Sequence, residues 1–317
     1  MEHFLFAVQA VFPTACILFC GYGLRRRGVF SEEFLKQGDR LCFSFLFPIL
    51  VFWNLYQGRE YIISYERYGK VILFAYGMIF FSALAGMALV PKVIPERGRV
   101  PVVIQSACRG NFMLYGLPFS ELLGGKECLV MATAMTAATL PILNAMAIFQ
   151  FSYYTGRGKQ RWGVVLGRIF RNPIIWGVLL GLLFQRVGIY LPASVETVLS
   201  DLAKKATPLA FLILGGRFHF RSAGRNRRML GGILFCKLLL LPMVFLPFCV
   251  FILKMDRVEL VLAFIFTAAP SAITTYQLAG QYDADGELAG DVVVYSLLFS
   301  ILTIFVLIFL LKNLGWV

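Results

Sequence analysis

The residues of this chain that could do chemistry lie inside long apolar runs. Residues 106 to 121 read Ser-Ala-Cys-Arg-Gly-Asn-Phe-Met-Leu-Tyr-Gly-Leu-Pro-Phe-Ser-Glu, so Arg109, Gly110, Asn111, Gly116 and Pro118 interrupt a stretch otherwise fit for hydrocarbon. Residues 268 to 281 repeat the arrangement, with Pro270 as the breaker and Ser271, Thr274, Thr275 and Gln277 as hydrogen-bonding side chains. A proline removes one amide donor and presses on the carbonyl four residues back. Breaks are therefore expected between Gly110 and Gly116, with Pro118 contributing, and at Pro270. A broken helix in a bilayer survives only where protein or water covers the freed backbone. Half-helix N-termini carry partial positive charge and C-termini partial negative charge, and two such helices crossing near the midplane suit a small anion. Arg109 adds a full charge where insertion costs about 2.5–3.5 kcal/mol, which marks a functional site. It either meets the anion or serves as a fixed counter-charge to the half-helix C-termini. Asn111 and Tyr115 complete the candidate binding set from the first segment, and Pro270, Ser271, Thr274 and Gln277 complete it from the second.

What must position these residues follows from composition. Of 317 residues 59% are hydrophobic and 15% charged, against about 45–50% and about 25% in soluble domains. The bilayer supplies the missing reason. A net charge of +13 would raise nucleic-acid binding in a soluble domain, but here the basic residues sit in short connections. The seven cysteines are odd in number and unclustered, so neither a disulfide framework nor a metal site is indicated. They read as small buried hydrophobes. No cofactor motif is present. The N-terminal segment has no basic n-region and is expected to stay as a helix.

A hydropathy window of about 19 residues gives ten candidate spans: 4–24, 39–57, 70–90, 101–123, 127–153, 173–187, 195–216, 229–253, 259–281 and 287–311. The sixth is short, and the seventh opens on Glu196, Asp201, Lys204 and Lys205, which suggests an interfacial start. Odd-numbered connections hold 18 Lys and Arg and the opposite side 10. By the positive-inside rule both termini face outward. The ninth connection, with Asp283, Asp285, Gly286 and Glu287, reads as a cytoplasmic turn.

The two halves correspond at an offset of about 158, near half the chain. Pro48 matches Pro208, and Asn111 matches Pro270. Five spans per half is odd, so the second half must enter the membrane from the opposite side, the inverted repeat of many secondary transporters. The fold class is thus an all-α polytopic membrane protein of ten transmembrane helices in two inverted repeats, residues 1–155 and 156–317, with broken crossing helices in the fourth and ninth spans. Sodium/proton antiporters and bile-acid symporters share that plan. Among the remaining polar residues, Asn54, Asn144, Tyr115, Tyr276 and Lys237 either line a cavity or, as the simpler reading, hydrogen-bond between helices, and Lys237 has the stem to snorkel. Glu121 and Asp291 read as solvated carboxylates near span ends, and these two with Lys237 are the candidates for coupling.

Arg109-Gly110-Asn111-Phe112, continuing to Gly116-Leu117-Pro118 and the pair Gly124-Gly125, resembles the fourth-span signature of the auxin efflux carrier family, whose bacterial members include permeases ascribed to malate and malonate. Pro270-Ser271-Ala272, Tyr276-Gln277-Leu278-Ala279 and Gln281-Tyr282 resemble its ninth span. The resemblance covers the whole chain. It implies a scaffold domain (spans 1, 2, 6 and 7) and a transport domain (spans 3–5 and 8–10) that moves like an elevator, and a homodimer through the scaffold. The connection after the fifth span, 155 to 172, is short where plant members often carry a long loop, which favours a bacterial-type carrier of the plasma membrane. The fourth span has Asn111 where some members have proline, making Asn111 a ligand-facing amide.

The leading expectation is therefore a secondary transporter of a small organic anion, coupled to protons or to sodium, and not an enzyme. A membrane-embedded enzyme would need a nucleophile, metal ligands or paired carboxylates at depth, and His3 and His219 lie outside the core. A sodium-coupled carrier like the bile-acid symporters, and a channel or sensor, are the competing readings.

Overall fold

The computed structural model describes residues 2–58, 65–156, 173–217 and 227–316, and these are helical throughout, apart from short connections. The connection expected at 155 to 172 and the basic residues Arg221 and Arg225 lie largely or wholly outside the described residues, as does His219.

Among the described residues eleven helices follow in order: α1 (Glu2–Arg26), α2 (Glu32–Gln57), α3 (Tyr65–Val93), α4 (Val100–Cys108), α5 (Phe112–Thr155), α6 (Pro173–Val187), α7 (Ala193–Gly216), α8 (Arg227–Ile252), α9 (Arg257–Ala268), α10 (Ile273–Gln281) and α11 (Gly286–Asn313). Five of them, α2, α3, α5, α8 and α11, are long and apolar enough to cross a membrane by length and hydropathy alone. The chain is a polytopic membrane protein.

Local chemistry sets the ends. Ser31 caps α2 by accepting from the Phe34 amide, and Asp256 with Glu259 forms a capping box at α9, each satisfying donors a helix start leaves open. Asp285 caps α11 through the Leu288 amide and pairs with Arg99 at 2.9 Å. The acidic ninth connection is thus tied to the basic third. Within α5 the helix turns at Gly125, whose φ of 73° is open to glycine and strained for other residues. That turn divides the expected fourth and fifth spans. Helix α2 starts seven residues before the expected second span, because Ser31, Glu32 and Glu33 supply a cap and acidic first turn. Helix α7 is one continuous helix rather than an interfacial piece joined to a span. Glu196, in its first turn, is held by the Tyr56 hydroxyl.

Helix α1 lies along α7 and α2 along α6, with α2 also touching α7. Both pairs approach through glycines. A Cβ on Gly215 would overlap the Leu18 carbonyl, and one on Gly177 the Pro48 carbonyl, the small-residue contact by which membrane helices close. Helix α3 packs on α4 and α5, α8 on α9 and α11, α9 on α5, and α10 on α11.

Candidate functional site

The helix ends after Cys108, and again after Ala268, and the two gaps pair with each other. Asn111 N donates to Pro270 O at 2.7 Å and Ala272 N donates to Arg109 O at 3.1 Å, a single antiparallel bridge between Gly110 and Ser271. Each gap supplies backbone partners that the other lost, which answers the requirement that nothing polar be left open in hydrocarbon. Ser271 completes the exchange. Its hydroxyl donates to the Ser106 carbonyl at 2.8 Å, and its amide donates to Ser296 Oγ at 3.1 Å.

Gly110 and Pro270 sit in the gaps, as expected from the sequence. Gly116 and Pro118 do not: residues Phe112–Gly116 form a π-helical turn that leads into the α-helix, with Pro118 in its first turn. Pro118 has no amide to give the carbonyl four residues back, so it loosens this turn but does not break the chain.

Arg109 is 3% exposed. Its guanidinium donates to Asn144 Oδ1 at 2.6 Å and to the Leu143 carbonyl at 3.4 Å. Asn144 is therefore an interhelical partner, as is Asn54, which donates to Thr133 Oγ1 at 3.4 Å. Asn111 is half-buried, with no hydrogen bond from its carboxamide to a described residue. The Thr274 hydroxyl is buried and also lacks a partner. Tyr115 is buried beside a void of about 10 Å³ shared with Phe119, Phe264 and Ala268, so the crossing is closely packed on that side.

Two placements bear on the sequence reading. Lys237 bonds between helices, as the simpler reading has it, and does not snorkel: it is fully buried, and its Nζ donates to the Thr267 carbonyl at 3.4 Å. Asp291 is not a solvated carboxylate; it is 3% exposed, one turn inside α11. Glu121 is exposed and takes no part in the crossing.

A cavity of about 620 Å³ opens beside the second break. Ile273, Tyr276, Gln277 and Gly280 of α10 line it, with Glu287 and Asp291 of α11 opposite Glu32 and Arg217. Its size lies within the range of about 300–1,000 Å³ for small-molecule sites. Arg217 is tied to Glu32 at 3.5 Å and to Asp39.

Sequence reasoning missed a pair at the same depth. Gln105 of α4 donates to Gln150 of α5 at 2.6 Å, both are at most 1% exposed, and Gln105 Oε1 and Gln150 Nε2 remain without partners. Two amides inside apolar runs were the available signal.

Comparison with known proteins points to membrane transport. Residues 159–308 match the family described as membrane transport protein. A Methanothermobacter thermautotrophicus protein named an uncharacterized transporter is 22% identical over 305 residues, covering 95% of this chain and 97% of that protein. The matched segment is just under half of the chain, and it is similar to membrane transport proteins, in line with the resemblance carried by the signatures of the fourth and ninth spans.

Proposed function

We propose that the protein is a secondary transporter of a small organic anion, a mono- or dicarboxylate, working by alternating access. The paired helix breaks carry this reading: two gaps joined backbone to backbone, with Asn111 and the Thr274 hydroxyl unpartnered and the first-turn amides of α5 and α10 close by. Helix starts of this kind hold carboxylates in carriers built from discontinuous helices. Asn111, Thr274 and Gln277 contact the substrate, while Arg109 supplies positive field from its seat on α5. Tyr115, Pro270 and Ser271 shape the floor.

Ten membrane crossings and an inverted repeat fit the helix order. Exchanging each span for the one five later turns the α1–α7 contact into the α6–α2 contact, and the α3–α4 contact into the α8–α9 contact, the relation a two-fold axis in the membrane plane would impose. The packing of α1, α2, α6 and α7 supports a scaffold, with the remaining helices as the moving body and a homodimer formed through the scaffold. The cavity faces the ends of α2 and α7, which the positive-inside count assigns to the cytoplasm of a plasma-membrane protein with both termini outside. This is an inward-facing state, and Asp291 in its wall is the candidate proton carrier.

Uptake of labelled malate or malonate into proteoliposomes tests the reading. Both accumulation and counterflow are expected, with at least about a tenfold loss in Asn111→Ala and Thr274→Val, the size of about 1.4 kcal/mol of binding. Absence of uptake and of counterflow for both acids overturns the carboxylate assignment. Undiminished uptake in Arg109→Ala removes Arg109 from the site.

A further inference from the structure

The break between α9 and α10 strips successive carbonyls of their helical donors. In an unbroken helix the Thr267 carbonyl accepts from the amide four residues on, but the Ser271 amide goes to Ser296 Oγ instead. The Ala272 amide, due to the Ala268 carbonyl, goes to Arg109 O. Pro270 has no N–H for Phe266. Lys237 enters this place from a π-helical turn of α8 (Cys236–Leu240). Its Nζ is 3.4 Å from the Thr267 carbonyl and 3.3 Å from the point a Gly110 Cβ would occupy. A Cβ on Gly110 would crowd both Ala269 and the ammonium. Among the described residues no carboxylate pairs with Lys237.

A buried ammonium without a carboxylate is costly, and persists here because the exposed carbonyls and the negative end of α9 receive it. Unwound carbonyls and half-helix C-termini are where carriers made of broken helices hold a coupling sodium ion or proton. We propose that Lys237 fills that place permanently as a tethered cation, and that the protein moves its substrate without binding a metal ion at the crossing. The claim rests on the crossing being the transport site, but the ion can be tested without a substrate.

The full-length protein is purified and unfolded thermally in equal concentrations of sodium, lithium, potassium or choline chloride. The wild type is expected to unfold at one temperature in all four; stabilisation specific to sodium or lithium overturns the proposal, since a ligand of the native state raises its stability by mass action. Lys237→Met keeps the apolar stem and loses the charge, and is expected to unfold lower than the wild type. Lys237→Ala is expected to be stabilised by ethylammonium and not by propanol. If Lys237→Met matches the wild type, or propanol rescues Lys237→Ala as well as ethylammonium does, Lys237 only fills volume and the proposal fails. Should Lys237→Ala not fold, the wild-type and Lys237→Met results still decide. In proteoliposomes malate uptake is expected to be equal in sodium and in choline, and a tenfold fall in choline, about 1.4 kcal/mol of lost driving force, overturns it. If neither malate nor malonate enters, the substrate assignment fails while the thermal results still judge Lys237.

Discussion

Asn144→Leu separates a guanidinium held by the protein from one held ready for substrate. The replacement keeps roughly the side-chain size and removes the 2.6 Å bond, leaving Arg109, 3% exposed, with only its 3.4 Å contact to the Leu143 carbonyl. A charge-assisted hydrogen bond contributes about 1.5–3 kcal/mol, and an orphaned buried donor adds a desolvation cost of about 1–3 kcal/mol. Asn144→Leu is therefore expected to lower stability by about 2.5–6 kcal/mol. In an Arg109→Met background the same change has no charge to abandon, and the two substitutions should show a coupling of about 2 kcal/mol. Equilibrium unfolding of the four proteins in mixed detergent micelles, followed by tryptophan fluorescence, measures it. Neutral interhelical hydrogen bonds in membranes average about 0.6 kcal/mol in such cycles. A coupling at or below that figure would refute the idea that Asn144 carries the charge of Arg109.

Two further substitutions test the path and the frame. Gly280 lines the cavity, and a Cβ there meets nothing within 4 Å, so Gly280→Phe should leave thermal unfolding unchanged while cutting uptake by at least about tenfold. Unchanged uptake would mean that substrate does not pass this way. Gly215→Val would drive a side chain into the Leu18 carbonyl and part α1 from α7, at a cost of about 1–3 kcal/mol for overpacking. Gly231→Ala, with open space around it, is the control expected to match the wild type, and equal stability of all three would refute the close packing.

The breaks were legible because they violate their surroundings. Glycine, proline and an arginine inside an apolar run point to a helix that ends, and the helices stop at Pro270 and at Gly110, the near edge of the stretch from Gly110 to Gly116 where the first break was expected. The caps Ser31 and Asp256 went unread, and with Ser31 the seven-residue extension of α2, because a hydropathy window passes over polar helix starts. What the chain concealed was arrangement. Lys237 looks like a residue that should reach an interface, and only the joint position of α4, α8 and α9 reveals that its ammonium meets a carbonyl stripped of its donor. Asp291 was misplaced for the same reason: six residues into α11 it resembles an end residue, until α10 is packed over it. Gln105 and Gln150 are 45 residues apart, and no spacing rule joins them.

The charges gathered at the crossing also bear on what can bind there. Arg109 and Lys237 supply two full positive charges, and the C-termini of α4 and α9 return about −0.5 each while the starts of α5 and α10 add about +0.5 each. The helix terms cancel, and the two cations remain. Asp291, in the wall of the cavity that opens beside the second break, subtracts one charge when ionised and none when protonated. Reckoned for Arg109, Lys237 and Asp291 alone, the excess is about one positive charge in the first state and about two in the second. A cationic substrate would add to the imbalance in either case. On the carboxylate reading proposed above, a monocarboxylate would balance these three groups with Asp291 ionised and a dicarboxylate with Asp291 protonated, so a proton on Asp291 and a second carboxylate on the substrate would arrive as one neutral change.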